Sequence, residues 1–349
     1  MKKYLIPTAA VVVAAALGTP YYLGVKAEES LTEQQKLLQE SGFLTVDSHQ
    51  YDRGWFSSTE TTVIRLKPTL LQNTQKYLPD NLKTVLQEPI TVINHVTHGP
   101  FAGGFGTRAH VETEFQYHPE TKKVLDRFFG QQTPLTMTNT VYLSGDGKLS
   151  LNIPAFDYEE LSGIKLNWKG FSGNTDYSQG FKSYRHDYLA PSLQVKLADK
   201  GDVSLENLRF QSETEDGLTK LSLGKSSITL DKFLLQWKEN IDYNVKLNEL
   251  VNLVTNLQIG AFINPTGTIA PSKIEVSKLR FDTQTGEVDK FINSEGHFQF
   301  ESLTYGEDKY GPLDINVAAE HLDAASLLAL KNKIAEVSVK KMSEEEIQA

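Results

Sequence analysis

Hydroxyl groups crowd one stretch of the chain. In "YDRGWFSSTETTVIRL", residues 51–66, Ser57, Ser58, Thr59, Thr61 and Thr62 follow the aromatic pair Trp55 and Phe56. Nucleophilic catalysis would need one of these serines on a strained elbow with a base beside it. No G-x-S-x-G occurs anywhere in the chain. Small hydroxyl residues, threonine above all, also suit a β-strand. The expectation is therefore structural: Tyr51-Asp52-Arg53-Gly54 turns between a strand at 44–51 and one at 55–67, with Gly54 supplying a positive φ. Trp55 and Phe56 would then point to opposite faces of the second strand.

The histidines offer a second chemistry. His95 and His98, in "NHVTHGPF", have the look of a metal pair. Three apart on a strand they face opposite ways, and Gly99-Pro100 forbids a helix that would align them. His98-Gly99-Pro100-Phe101 reads instead as a strand end and a turn, with Phe101 anchored in the core. His110, Glu112, Glu114 and His118 share one side of a strand and could ligate a divalent ion, but a solvated strand face gives the same pattern. "GGFG" at 103–106 lacks the strand-then-helix context of a dinucleotide loop, and "GKSS" at 224–227 lacks the upstream glycine of a phosphate loop. No catalytic, metal-binding or cofactor-binding residue is assigned, and no cofactor is expected.

Composition narrows the classes further. The 349 residues include no cysteine, which removes disulfides, thiol nucleophiles and zinc-thiolate sites. Net charge is −9, and the only charges before Glu28 are Lys2, Lys3 and Lys26. An acidic body argues against nucleic acid as a partner and against broad adhesion to anionic lipid.

Tyr4 to Val25 is uncharged over 22 residues. As a helix it would extend roughly 33 Å, a match to a bilayer core. Lys2 and Lys3 would hold its start in the cytoplasm, and Tyr21 and Tyr22 suit the far interface. Residues 1–27 read first as a retained signal-anchor. A cleaved signal peptide, with Gly18 or Ala27 before the cut, is the alternative, and a buried soluble segment is the last reading. Either way the body is expected outside the cytoplasm.

The elements behind these candidates follow from periodicity. Ser30 with Glu33 forms a capping box for a short helix that stops at Gly42. A second helix is expected near Leu71–Leu86, broken by Pro79. A third runs from about Asp323, with Leu327, Leu328, Leu330, Ile334 and Val337 on one side. Residues 246–257 fit helix or strand. Elsewhere period two dominates: "HVETEFQYH" alternates, and "LTMTNTVYLSGDGKLSLNIP" is a hairpin with its turn at Asp146-Gly147. The fold class expected is α+β, mainly antiparallel. It has an N-terminal α+β portion at 28–130, a long twisted meander at 131–322 and a C-terminal helix at 323–349. "GIKLNW" and "GHFQF" place Ile164, Leu166, Trp168, Phe298 and Phe300 on faces that something must cover.

Two motifs point to a family. Tyr51, Arg53, Gly54, Phe56, Ser57 and Ser58 of "YDRGWFSS", with His98, Gly99, Pro100 and Phe101 of "HGPF" some forty residues on, resemble the paired signatures of the bacterial YdgA-like proteins, a domain of unknown function. "GFSGN" at 170–174 and the anchor ending "PYYLGVK" are further likenesses. The resemblance implies a Gram-negative inner-membrane protein with a periplasmic body, an association with motility and self-association, and no established enzyme activity. Family members usually continue beyond the helix after "EHLDAASLLAL", which implies a short or truncated member here. The expected function is a non-enzymatic scaffold or binding protein whose partners are the membrane, a second copy or another envelope protein. A carrier holding an acyl chain or other apolar ligand on a curved sheet is the alternative. An envelope hydrolase, which a buried carboxylate or a His-Ser contact in a cleft would favour, comes last.

Overall fold

Alternating side chains build one open antiparallel sheet. A computed structural model of the chain describes residues 5–40, 44–67, 86–99, 101–161, 163–198, 201–219, 221–237 and 273–339. Its 17 strands form a single sheet. Strands β1 (Leu44–Arg53), β2 (Ser57–Leu66), β3 (Ile90–His98), β4 (Thr107–Tyr117), β5 (Thr136–Tyr142) and β6 (Gly147–Ile153) pair in sequence order. β6 next pairs with β9 (Phe171–Tyr177), which pairs with the long β10 (Ser183–Leu197). Beyond lie β11 (Gly201–Asp216), β12 (Ser222–Trp237), β13 (Lys273–Val288), β14 (Phe291–Phe300) and β17 (Leu313–Asp323). The short strands β7 (Phe156–Glu159) and β8 (Ile164–Trp168) extend the sheet beside the far half of β10. β15 (Ser302–Tyr305) and β16 (Asp308–Tyr310) do the same beside β13.

Among the described residues three α-helices accompany the sheet. α1 is continuous from Leu5 to Glu40, so the short helix expected to start at Ser30 is not separate. Ser30 is interior: its hydroxyl donates to the Lys26 carbonyl at 3.0 Å, back-bonding within the helix rather than capping it. The reason lies in the apolar stripe. Pro20, Leu23, Gly24, Ala27 and Leu31 are all buried, at helical spacing, and a break near Ser30 would divide that stripe. The stripe also means that Pro20 to Gly24, the end of the expected membrane segment, packs on protein. Among the described residues no helix is long and apolar enough to cross a membrane.

α2 (Pro119–Phe129) is an element that periodicity alone leaves out, although Pro119 at its first turn, Glu120 beside it and Gly130 after it are its start and stop signals. Its Phe128 and Phe129 rings pack on Phe156 and Tyr158 of β7. α3 (Ala324–Val339) starts as expected: the Asp323 carboxylate accepts from the Ser326 hydroxyl at 2.7 Å and from its N–H at 2.8 Å, a cap that holds Asp323 below the usual carboxylate range. Ala324 and Leu327 of α3 pack with Leu221, Leu223 and Ile292, whereas Leu330, expected on the same side, is exposed. Nearly all of the helix expected at Leu71–Leu86, the segment 246–257 and Gly42 lie outside the described residues.

Two turns differ from expectation. The β5–β6 turn is Leu143 to Asp146, with Gly145 at φ +96°. Gly147 is the first residue of β6 and is needed there because the Tyr177 ring lies over it; a Cβ would come within 2.2 Å of that ring. The β1–β2 turn includes Trp55 and Phe56, so β2 begins only at Ser57 and neither aromatic occupies a sheet face; both are half-exposed.

Candidate functional site

The two sequence motifs meet beneath α1. β2 and β3 pair so that Ser57 faces Thr97 and Ser58 faces Val96, and the His98 N–H donates to the Phe56 carbonyl at 3.0 Å. Alternation on β2 sends Ser58, Glu60 and Thr62 to the buried side, while Ser57 stays exposed. The hydroxyl run is thus divided between two faces. Only Ser58 reaches a histidine: its Oγ lies 3.1 Å from His98 Nε2, and both residues are buried, at 5% and 2% exposure. His98 Nδ1 lies 2.9 Å from the Pro20 carbonyl on α1. A proton on Nδ1 donated to Pro20 leaves Nε2 to accept the Ser58 hydroxyl, and one tautomer satisfies both contacts.

A serine within reach of a histidine has the outward form of a nucleophile and base, but the setting is that of a structural clasp. The second partner of the imidazole is a backbone carbonyl instead of a carboxylate, and Gly24 of α1 lies directly on the ring, where a Cβ would be 2.6 Å from it. Ser58 itself is buried. The imidazole instead joins β2, β3 and α1, with each polar atom paired.

Arg53 completes the clasp from the other side. Its guanidinium donates to Glu28 of α1 at 2.6 Å and lies 5.2 Å from the Tyr21 ring centroid, and Tyr21 packs on Trp55 at 5.2 Å. Tyr51 packs against the cluster of Ala27, Leu31, Val96, Ala109, Val111 and Val141. Its hydroxyl is buried, and that burial pushes the phenol up, with Ser58 opposing it. Gly54 does not have the positive φ expected of it. Its role is close approach: its N–H donates to the Ser57 carbonyl at 2.9 Å, and a Cβ would stand 2.5 Å from that oxygen.

Phe101 is not a core anchor. Gly99, at φ +142°, directs the following loop outward, and Phe101 is 71% exposed, its ring centroid 6.2 Å from that of Phe105, itself 93% exposed. The interior position beside His98 is taken by Pro20 and Gly24. Pro100 lies outside the described residues.

Farther along α1 a second polar group joins helix and sheet. Tyr177 donates to Asn139 Oδ1 at 2.9 Å and accepts from Gln34 at 3.2 Å, and Asn139 returns a contact to Gln34 at 3.4 Å. Burial pushes the Tyr177 phenol up to about 12, with the Asn139 and Gln34 contacts opposing it. A phenol raised by folding contributes stability that is complete below its unfolded value near 10 and is lost as pH rises through 12. The protein should therefore lose about 2–3 kcal/mol between about pH 10 and 12 that Tyr177→Phe does not lose. Denaturant titrations of both at several alkaline pH values check this, and parallel alkaline limbs would contradict it.

Sequence reasoning missed Glu60. Its carboxylate is buried, 2.8 Å from His49 Nε2 and 2.6 Å from Asn94 Nδ2, and Asn94 in turn accepts from Thr113. The available signal was an acid on the same strand face as Ser58 and Thr62. Glu60 lines a cavity of about 310 Å³ between α1 and the sheet, together with Leu31, Gln34, Met137 and Tyr177. Of the histidines singled out in the sequence, His95 lies 3.3 Å from Glu114, His110 lies 3.0 Å from Thr140 and 3.9 Å from Glu112, and His118 lies 3.9 Å from Glu88. Among the described residues no group of three side chains could hold a metal ion.

No curated protein and no solved structure matches the chain. With both signature motifs gathered under one helix, and with a family model described as "bacterial protein of unknown function (DUF945)" matching residues 1–349, the chain belongs to that family, with which the YdgA-like resemblance is consistent.

Proposed function

We propose that this protein is a non-enzymatic binding platform, held at the inner membrane by its N-terminal helix with the sheet on the periplasmic side. The observation that carries this reading is the group of exposed aromatics where α1 meets the sheet: Tyr22, Trp55, Phe56, Phe101 and Phe105. Tyr22 lies on α1, and two loops supply the other four and adjoin α1 at Pro20 and Tyr21. Immediately before these residues α1 carries the uncharged stretch Leu5–Thr19. Fifteen helical residues cover only about 22 Å, short of a bilayer core of about 30 Å. Aromatic loops seated at the headgroup level would lower the body onto the membrane and make up part of that difference. The clasp around His98 then has a mechanical role, transmitting the anchor's position to the sheet.

The test uses the full chain with Trp168 and Trp237 changed to Phe, so that Trp55 is the only indole. Mixed with phosphatidylethanolamine–phosphatidylglycerol vesicles, Trp55 emission should shift to the blue and be quenched by lipids brominated near the headgroup. Binding without quenching would remove the aromatic seat, and a protein that does not float with the vesicles would remove the anchor.

A further inference from the structure

Beyond α1 the sheet carries an apolar row that no described element covers. Tyr188 of β10 is in register with Phe210 of β11, Phe210 with Ile228 of β12, Ile228 with Phe281 of β13, Phe281 with Phe298 of β14, and Phe298 with Ile315 of β17. Residues directly opposite across antiparallel strands share a face, so these six form one line across six strands. Tyr188 and Phe210 stack at 6.1 Å, and Phe281 meets Phe298 edge-on at 6.4 Å. Ile228, Phe281 and Ile315 are 37%, 40% and 43% exposed.

Both flanks define the row. One residue along each strand, the register Asp187, Gln211, Ser227, Asp282, His297 and Asn316 is polar throughout and belongs to the opposite face. Two residues along, on the same face, His186, Ser212, Ser226 and Thr283 form a polar border, with the Ser212 and Ser226 hydroxyls 2.9 Å apart. On the other side the apolar character deepens: Ala190 and Leu230 are buried. At the inner end the Tyr188 ring lies over Gly173, where a Cβ would be 2.2 Å from it.

We propose that this row is a binding site for the acyl chain of a lipid. Its shape makes the choice between occupants. Strands about 4.8 Å apart give a line of about 24 Å, longer than the roughly 15 Å of one leaflet's hydrocarbon. Six side chains of about 150–250 Å² each, three of them about two-fifths exposed and three less so, offer at most about 500 Å². A stable dimer needs about 800 Å² from each partner, so a second copy is poorly served by a strip this narrow. A linear apolar ligand matches it. The row also continues in register through Gly173 and Leu151 to Met137, which lines the cavity beside α1, so the strip prolongs the seam between anchor and sheet. This inference rests on the binding-platform reading and names its ligand.

The experiment places a benzophenone amino acid singly at Ile228 or Phe281, and at Ser227 or Asp282 as opposite-face controls. The full chain is reconstituted in phosphatidylethanolamine–phosphatidylglycerol vesicles, irradiated, and the intact mass measured. Positions 228 and 281 are expected to acquire the mass of one phospholipid, and 227 and 282 none. Introducing Phe298→Glu beside the benzophenone at 281 should lower that adduct at least tenfold while the far-ultraviolet spectrum is unchanged. Adducts joining two copies or two segments of one chain, equal lipid labelling on both faces, or no adduct would each overturn the proposal. Failure of the protein to float with the vesicles is seen separately and would count against the membrane anchor.

Discussion

Gly24→Leu is expected to unseat α1 and lower the stability of the folded body by about 3 kcal/mol, the upper end of what forcing a side chain into a filled site typically costs. Gly24 faces an imidazole that cannot move aside cheaply, because His98 is held by Ser58 on one nitrogen and Pro20 on the other. Gly24→Ala gives the sharper check. Within a helix, alanine is favoured over glycine by about 1 kcal/mol, so propensity alone makes Gly24→Ala stabilising. With a Cβ 2.6 Å from the ring, the sign should reverse to a loss of about 1–2 kcal/mol. Denaturant midpoints of the full chain measure both variants, with protease cleavage inside α1 as a second readout. A stabilised Gly24→Ala protein would show that α1 does not rest on His98.

His98→Ala should cost about 3–5 kcal/mol. It leaves a cavity, and two buried polar groups, the Ser58 hydroxyl and the Pro20 carbonyl, lose their partner. Ser58→Ala removes one contact and no ring, and should cost only about 1–2 kcal/mol. The exposed Ser57 should tolerate alanine with almost no change. This order, His98 well above Ser58 and Ser58 above Ser57, is what a clasp requires; a nucleophile–base pair would instead show lost function in Ser58→Ala at unchanged stability. Zinc should not raise the melting temperature of the parent protein. A chelator-sensitive melting point that disappears in His98→Ala would reveal a metal role.

Much of the sheet was legible in advance because a strand records its own environment. The alternation of Val111 and Phe115 against His110, Glu112 and Glu114 marks β4, and the paired apolar runs around residues 143–146 mark the β5–β6 hairpin. The Asp323 start of α3 is equally local, since a cap needs only three neighbouring residues. The family was legible too, because its motifs are short and their residue types unusual together.

The purpose of those motifs was not legible. Ser58 and His98 are 40 residues apart, His98 and Pro20 are 78 apart, and nothing periodic links them. Local pattern assigned Trp55, Phe56 and Phe101 to a sheet or core, as it assigns most large aromatics, while the structure exposes all three because α1 occupies the space beside His98. The same holds for the row from Tyr188 to Ile315. Each residue announces an apolar position on its own strand, but its continuity across six strands depends on register, which long-range pairing sets. The sequence by itself determined the strands, their inward and outward faces and the family. Only the tertiary structure decided that one set of those faces receives a helix and that no described element covers the next, because register and helix docking depend on the packing of segments far apart in the chain.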